Sequence, residues 1–268
     1  EKYVNKILMK DSYRDAYGTA IIYANRDKLA SGEVTLDQLM NDNSEEAINT
    51  AEEYLKAMKP NIAGWEADFG KEMMTKGKAW INFTWSGDAV WAIEEAEAVG
   101  VELDYVVPME GSNVWFDGWV IPKYAQNTKA ASYFINYMCR PDIALRNMDA
   151  IGYVSAIATP EILEAKIDPE IEGYYDLSYF FGEGADSIKI DPVQYPDRKV
   201  IERCAVIRDF TSKEDLEKAL EMWSRVKGDN LNTGTLLIIG VVVLCLIGWL
   251  VMKQLNKRNN NKRKKTRR

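Results

Sequence analysis

The stretch that decides the fold is KAWINFTWSGDAVWAIEEAEAVG, residues 78–100. Its first eight residues, 78–85, alternate aromatic and β-branched side chains between two faces, which predicts a β-strand. Residues 89–99 predict a helix that ends at Gly100, and Gly87 allows a tight turn before Asp88 opens that helix. Ligands of α/β folds gather at the carboxyl ends of strands, so this turn is a candidate rim of a pocket.

Strands and helices alternate on both sides of this stretch, which predicts an α/β domain. Apolar spacing predicts a mostly helical segment over residues 5–30, and short strands are predicted at 103–107 and 114–121. Two capping-box patterns mark further helix starts, one at Asn43 with Glu46 and one at Thr211 with Glu214. A helix over 128–139 is expected to end before Pro141, and residues 160–200 are rich in loops.

Composition excludes several kinds of site. The 268 residues contain no His, so no His-based triad, His-ligated zinc or imidazole switch can form. Cys139, Cys204 and Cys245 match no metal or redox spacing, and we expect the first two to be free thiols. No Walker loop, dinucleotide fingerprint or Ca²⁺ loop is present, so we expect no cofactor and no metal.

Charge is distributed unevenly along the chain. Residues 253–268 carry nine Lys or Arg and no acid, which leaves 25 basic against 41 acidic groups in residues 1–252. Nucleic-acid binding needs a basic face on the folded body, so nucleic acid is not an expected partner. An acidic body suits cationic ligands, although acidic surfaces also serve solubility.

Residues 235–252, TLLIIGVVVLCLIGWLVM, contain 18 consecutive uncharged residues. A helix of that length spans about 27 Å, close to the hydrocarbon thickness of a bilayer, so we predict a single membrane span in contact with lipid. The basic tail at 253–268 then places the C-terminus in the cytoplasm and residues 1–230 outside. Residues 231–234 lack the proline-containing signal of a sortase anchor, which favours a retained helix.

Two clusters carry candidate binding chemistry. Trp85 and Asp88 flank the turn at the end of the first strand, where the alternative role of Asp88 is helix capping. Trp115 and Asp117 are two apart on a predicted strand, so the indole and the carboxylate face the same side and Phe116 faces the core. An aromatic face beside an anion forms a site for an ammonium group. The alternative for Asp117 is a turn residue before Gly118.

Asp11 and Asp15 are four apart on the predicted first helix. A carboxylate pair also fits acid–base catalysis of the glycosidase kind, so a surface hydrolase using Asp11 with Asp15, or Asp88 with Asp117, is the alternative from another class.

Five motifs together resemble the polyamine-binding proteins of ABC transporters, the surface or periplasmic spermidine/putrescine receptors. They are WSGDAV (85–90), VWFDGWVIP (114–122), ASYFINYMCRPDIA (131–144), IGYVSA (151–156) and MWSRVKGDN (222–230). The resemblance implies a periplasmic-binding-protein-like, type II, two-lobed α/β fold whose first lobe is incomplete here. It also implies that the protein is not an enzyme, and that its partners are a polyamine ligand and an ABC permease.

The resemblance also implies a role for each site residue. Trp85, Trp115 and Tyr153 form ring walls, and Asp88 and Asp117 bind ammonium ends. Asp15 matches a family acid, whereas Ser12 stands where some members carry an acid.

The predicted organisation is a polyamine-binding domain over 1–230, a linker over 231–234, a span over 235–252 and a cytoplasmic tail over 253–268. Two alternatives stay open: another small ligand on the same fold, such as a sugar or ferric complex, and a receptor fused to a permease. Without the rest of the first lobe, the fragment is expected to bind polyamines weakly or not at all.

Overall fold

The structure is a computed structural model that describes residues 2–228 and the pairs 241–242, 248–249 and 252–253. Parallel strands and helices alternate in its first half, which confirms the α/β class. The strands of the described residues are β1 (Ile7–Lys10), β2 (Ile62–Glu66), β3 (Ile81–Phe83), β4 (Ser112–Asn113) and β5 (Cys204–Ala205). The helices of residues 2–228 are α1 (Tyr13–Ala24), α2 (Arg26–Ser31), α3 (Leu36–Met40), α4 (Glu45–Met58), α5 (Gly70–Thr75), α6 (Ser86–Ala98), α7 (Thr128–Met138), α8 (Pro141–Ile151), α9 (Pro160–Lys166), α10 (Ser178–Phe181), α11 (Arg198–Glu202) and α12 (Lys213–Gly228).

The main sheet has the order β2-β1-β3, and both pairs are parallel. β1 therefore lies in the middle, with Leu8 and Met9 almost fully buried. The prediction of a helix over 5–30 was wrong for this segment and correct from Tyr13 onward. A short apolar run fits a buried strand and a buried helix equally well, and pairing on both sides decides in favour of the strand.

The structure corrects the predicted strands in their extent. The strand predicted over 78–85 is shortened to β3, and the helix after it begins at Ser86. The strands predicted at 103–107 and 114–121 were wrong, because neither segment forms a strand and β4 ends just before residue 114. β4 pairs with β5 in a separate two-stranded parallel sheet, and residues 114–121 lie beyond the end of that pairing. Without continued pairing, their alternation is not enough to form a strand.

Both predicted capping boxes are displaced by one residue. Ser44, not Asn43, caps α4 by accepting a hydrogen bond from the Ala47 amide. Ser212, not Thr211, accepts one from the Asp215 amide at the start of α12, at 3.1 Å. Adjacent polar residues compete for the cap, and the first helical turn selects the side chain that reaches the N3 amide.

Residues 160–200 are rich in loops, as predicted, and they also contain α9, α10 and the start of α11 and enclose a core. This core consists of Ala144, Met148, Ile162, Leu177, Ala185, Ile190 and Tyr195. It fixes α8 to the loop-rich segment. α8 begins at Pro141, where the missing proline amide costs nothing, and ends at Gly152 in the left-handed conformation.

The segment 114–124 and helix α7 expose apolar side chains. Phe116 is 81% exposed, so its predicted place in the core was wrong. Trp119 and Phe134 pack edge to face at 5.3 Å, and α7 has no buried residue. The described residues form no apolar layer over this face.

The chain divides into two compact units, residues 1–220 and residues 221–268. The first unit holds all five described strands. The second begins within α12, and most of its residues lie outside the described part. Among the described residues, no helix is both long and apolar enough to cross a membrane. The span predicted at 235–252 lies almost entirely outside the described residues, and so does the tail at 253–268.

Candidate functional site

The candidate site lies where the three strands of the main sheet end. Because β1, β2 and β3 are parallel, their carboxyl ends meet at one edge of the sheet. Lys10 and Glu66 are the last residues of β1 and β2, and Trp85 follows β3 by two positions. A cavity of about 1040 Å³ reaches this edge and also extends along the sheet to the amino ends of β1 and β3 at Ile7 and Ile81. Its volume slightly exceeds the usual range for ligand pockets.

Three rings form a continuous aromatic wall. The centroids of Trp85 and Trp115 are 6.4 Å apart, and those of Trp115 and Tyr153 are also 6.4 Å apart. The structure thus brings together the three predicted aromatic residues, which are up to 68 positions apart in sequence. Trp85 and Trp115 line the cavity itself, together with Asp15 and Asp88.

Two glycines allow Tyr153 to reach this wall. A Cβ added to Gly87 would lie 2.2 Å from the Tyr153 ring, so only glycine admits the ring there. Gly87 is the second residue of α6, so it permits close packing and not the tight turn that the sequence predicted. A Cβ on Gly152 would lie 2.7 Å from the Gly87 carbonyl oxygen. The end of α8 therefore packs against the start of α6, and this contact places Tyr153.

Asp88 lies in the first turn of α6, but its side chain does not cap the helix. Asp88 Oδ2 accepts a hydrogen bond from Lys10 Nζ at 2.5 Å, and Asp88 Oδ1 accepts one from Lys71 Nζ at 3.3 Å. Both oxygens of this carboxylate thus have lysine partners from the chain itself. Lys10 Nζ also lies 4.4 Å from the Trp85 ring centroid.

Sequence reasoning missed Lys10 and Glu66. Glu66 is 1% exposed and forms an ion pair with Lys10 at 3.0 Å. It also accepts a hydrogen bond from the Gly70 amide at 3.1 Å. A Cβ on Gly70 would lie 2.5 Å from the Glu66 carboxyl carbon, so glycine is required there. The position of Lys10 directly after the apolar run Ile7–Met9 could have indicated a buried ion pair, because lysine is rarely buried without a partner.

Asp15 lies at the start of α1 and lines the cavity. Its Oδ1 accepts a hydrogen bond from Asn113 Nδ2 at 3.5 Å. Ser12 caps the same helix by accepting a hydrogen bond from the Asp15 amide at 3.4 Å. Asp11 precedes the helix, so the predicted pairing of Asp11 and Asp15 on one helical face was wrong. This removes the geometry on which one form of the hydrolase alternative depended.

Asp117 is exposed and does not line the cavity. Its position is linked to Tyr153 through electrostatics. Burial is the main reason that the pKa of the Tyr153 hydroxyl is raised, and the charge of Asp88 raises this pKa further. A hydrogen bond with the Asp88 backbone lowers it in part, and the charge of Asp117 raises it. Tyr153 is thus influenced by the Asp117 charge and contacts the Trp115 ring.

Two oxygens of cavity-lining residues are buried without a partner. Asn82 Oδ1 and Thr84 Oγ1 have no hydrogen-bond partner within the described part of the chain. A buried oxygen that accepts no hydrogen bond is costly, and a ligand N–H group would satisfy it. In the described residues no cluster of acids and cysteines is arranged to hold a metal ion, and neither Cys139 nor Cys204 forms a disulfide.

Residues 1–172 match the family model for bacterial extracellular solute-binding proteins. The chain belongs to that family. This solute-binding protein is 30% identical over 171 residues to the spermidine/putrescine-binding periplasmic protein of Salmonella typhimurium, covering 63% of this chain and 43% of the relative. The chain thus spans less than half the length of that curated relative.

Solved structures agree with this family assignment. The solute-binding protein superposes on a Listeria monocytogenes protein assigned to a spermidine/putrescine ABC transporter, with a TM-score of 0.64 and 27% identity. It superposes on the spermidine/putrescine substrate-binding protein PotD of Streptococcus pneumoniae with a TM-score of 0.57 and 28% identity. Each match covers 84% of this chain and 58% of the other.

Proposed function

We propose that the protein is the substrate-binding component of an ABC transporter for polyamines, with putrescine or spermidine as the ligand. The observation that carries this proposal is the continuous wall of Trp85, Trp115 and Tyr153 beside carboxylates at the edge of one cavity. Aromatic faces attract ammonium groups by about 0.5–2 kcal/mol, more strongly where water is excluded. The names of the relatives support the same ligand class.

Each element of the site has a role in this proposal. Trp85, Trp115 and Tyr153 enclose the alkyl chain, and Asp117 and Asp15 receive ammonium groups. Asp88 belongs to the same cluster, where Lys10 and Lys71 are its charge partners. The two unpartnered oxygens suit this ligand class, because the nitrogen atoms of a polyamine at neutral pH donate hydrogen bonds and accept none.

Ligand capture is proposed to occur by closure of two lobes around the polyamine, and the closed form then docks on the permease. Residues 235–252 are proposed to anchor the binding domain at the outer surface of the cell membrane. Their length and lack of charge support this part of the proposal. Resistance of the protein to alkaline carbonate extraction, lost on deletion of 235–268, is the expected result. Equal extraction of both forms would contradict the anchor.

The ligand is tested by calorimetry on the full-length protein with putrescine and spermidine. Asp117→Asn is expected to weaken binding at least tenfold, or about 1.4 kcal/mol, because it removes the counter-charge of an ammonium group. The matched control is Asp27→Asn, which alters a 91% exposed carboxylate on α2. Equal affinities for both variants, or binding of a sugar or ferric complex instead, would refute the proposal.

A further inference from the structure

Lys10 is a buried cation whose ammonium group has three oxygen partners within the chain. Its side chain is 3% exposed, although it lines the cavity. An ammonium group has three N–H donors. Nζ donates hydrogen bonds to the Ala67 carbonyl oxygen at 2.9 Å and to Asp88 Oδ2 at 2.5 Å, and it forms an ion pair with Glu66 Oε1 at 3.0 Å.

The same ammonium group lies 4.4 Å from the centroid of the Trp85 ring. An aromatic face together with a carboxylate is the arrangement expected to receive an ammonium group of the ligand. In this structure the chain itself fills that position. We propose that Lys10 is a built-in cation that occupies the ammonium subsite of Trp85 and Asp88, and that it thereby determines how many charged nitrogens the ligand can bring.

The surrounding charges keep Lys10 in place. Lys10 and Lys71 carry two positive charges, and Glu66 and Asp88 carry two negative charges, so the cluster is balanced without a ligand. Withdrawing Lys10 would leave Glu66 buried at 1% exposure with no cation beside it in the described structure. Such an uncompensated charge is strongly destabilising, so a ligand ammonium does not readily displace the lysine.

The occupation of this subsite by Lys10 limits the class of ligand that can bind, an inference that rests on the proposed function. A second ammonium beside Lys10 would meet a like charge and a carboxylate already bonded through both oxygens. The end of the ligand that reaches this subsite is therefore uncharged. An N-acylated polyamine fits, because its amide N–H can donate to Asn82 Oδ1 or Thr84 Oγ1 while its free ammonium lies beside Asp15 and the aromatic wall.

The test compares putrescine with N-acetylputrescine by calorimetry on the full-length protein. The unmodified protein is expected to bind N-acetylputrescine at least tenfold more tightly. Lys10→Met frees Asp88 and Trp85, so the ratio of affinities is expected to shift at least tenfold toward putrescine. Lys10→Met/Glu66→Gln removes one charge of each sign and is expected to give the same shift while keeping the buried charges balanced.

The control is Lys6→Met. Lys6 Nζ also lies over a tryptophan, 5.2 Å from the Trp80 centroid, but Trp80 is half-exposed and Lys6 donates to the Lys78 backbone carbonyl oxygen rather than to a carboxylate. This variant is expected to leave the ratio unchanged. A preference of the unmodified protein for putrescine, or an unchanged ratio in a folded double variant, overturns the inference and leaves the polyamine proposal standing. If neither amine binds to any of the proteins, both fall together.

Discussion

Replacing Gly87 with alanine tests the packing that creates the aromatic wall. The added Cβ would lie 2.2 Å from Tyr153 Cε2 and 2.3 Å from Cδ2. Carbon atoms in contact are normally about 3.5–4.0 Å apart, so the ring has to move by more than about 1 Å. The Gly87 backbone is helical and needs no positive φ, so the clash with Tyr153 is the cost of the substitution.

The magnitude follows from two opposing terms. Alanine favours a helix over glycine by roughly 0.5–1 kcal/mol. Overpacking costs about 1–3 kcal/mol, and separation of Tyr153 from Trp115 forfeits a further 0.5–1.5 kcal/mol or so. We expect Gly87→Ala to lower the free energy of unfolding by about 1–3 kcal/mol, and to weaken putrescine binding because the wall is opened.

Gly18→Ala is the matched control. Gly18 lies within helix α1, and a Cβ there would meet Ile207 and Met40 at ordinary distances of 3.5 and 3.7 Å. This variant is therefore expected to gain about 0.5–1 kcal/mol of stability. Urea unfolding followed by tryptophan fluorescence measures both variants, and calorimetry measures binding.

A double variant separates the clash from other effects. In Gly87→Ala/Tyr153→Ala the obstructing ring is absent, so the two substitutions are expected to be non-additive by more than about 1 kcal/mol. Gly87→Ala is then expected to cost no stability when it is introduced into the Tyr153→Ala variant, whereas binding stays weak because one wall is missing. If Gly87→Ala is as stable as Gly18→Ala and binds putrescine normally, the contact between α6 and Tyr153 does not shape the site.

Three further predictions concern the fold. Met148→Ala is expected to cost about 2–5 kcal/mol in urea unfolding, since Met148 is fully buried in the core of α8; a loss below about 1 kcal/mol would show that this core is loosely packed. Burial, and secondarily the charge of Asp42, raises the pKa of Tyr17. The folded protein thus keeps a proton that the unfolded chain releases near pH 10, and the free energy of unfolding falls as pH rises above about 10, by up to about 1.4 kcal/mol per pH unit. Tyr17→Phe should make that decline shallower in urea titrations at pH 9 to 11, and an unchanged slope would contradict it. Ser12→Ala should cost about 0.5–2 kcal/mol by removing the cap from the Asp15 amide, and no change in urea midpoint would show that the cap is dispensable.

The amphipathic helices were predictable because their apolar spacing repeats over several turns. The C-terminal end of helix α7 was predicted to within one residue. Pro141, which was expected to end α7, is the first residue of α8. Strand β1 was not predictable in the same way. The four residues Ile7–Lys10 are too few to show a periodicity that distinguishes a strand from a helix. Only the pairing with β2 and β3 determines that they form a strand.

Trp85 and Trp115 could be recognised as candidates from local motifs, since each precedes an acid by two or three positions, whereas Tyr153 was implied only by the family resemblance. The charge partners of Asp88 could not be recognised from the sequence. Lys10, Lys71 and Asp88 come from three separate elements, and no spacing in the chain indicates that two lysines converge on one carboxylate. The exposure of Phe116 was missed for a related reason, because alternation shows which side chains share a face and does not show what covers that face.

Composition and short-range pattern alone determined that this protein lacks histidine chemistry, has an acidic body, alternates strands and helices, and carries aromatic residues next to acids. These properties depend on residue types and on neighbours within a few positions. The tertiary structure decided that three rings form one wall and that the lysine ending the central strand already holds the carboxylate beside it. Parallel pairing brings the ends of β1, β2 and β3 to one edge, and burial there requires that every charge find a partner from whichever segment is near.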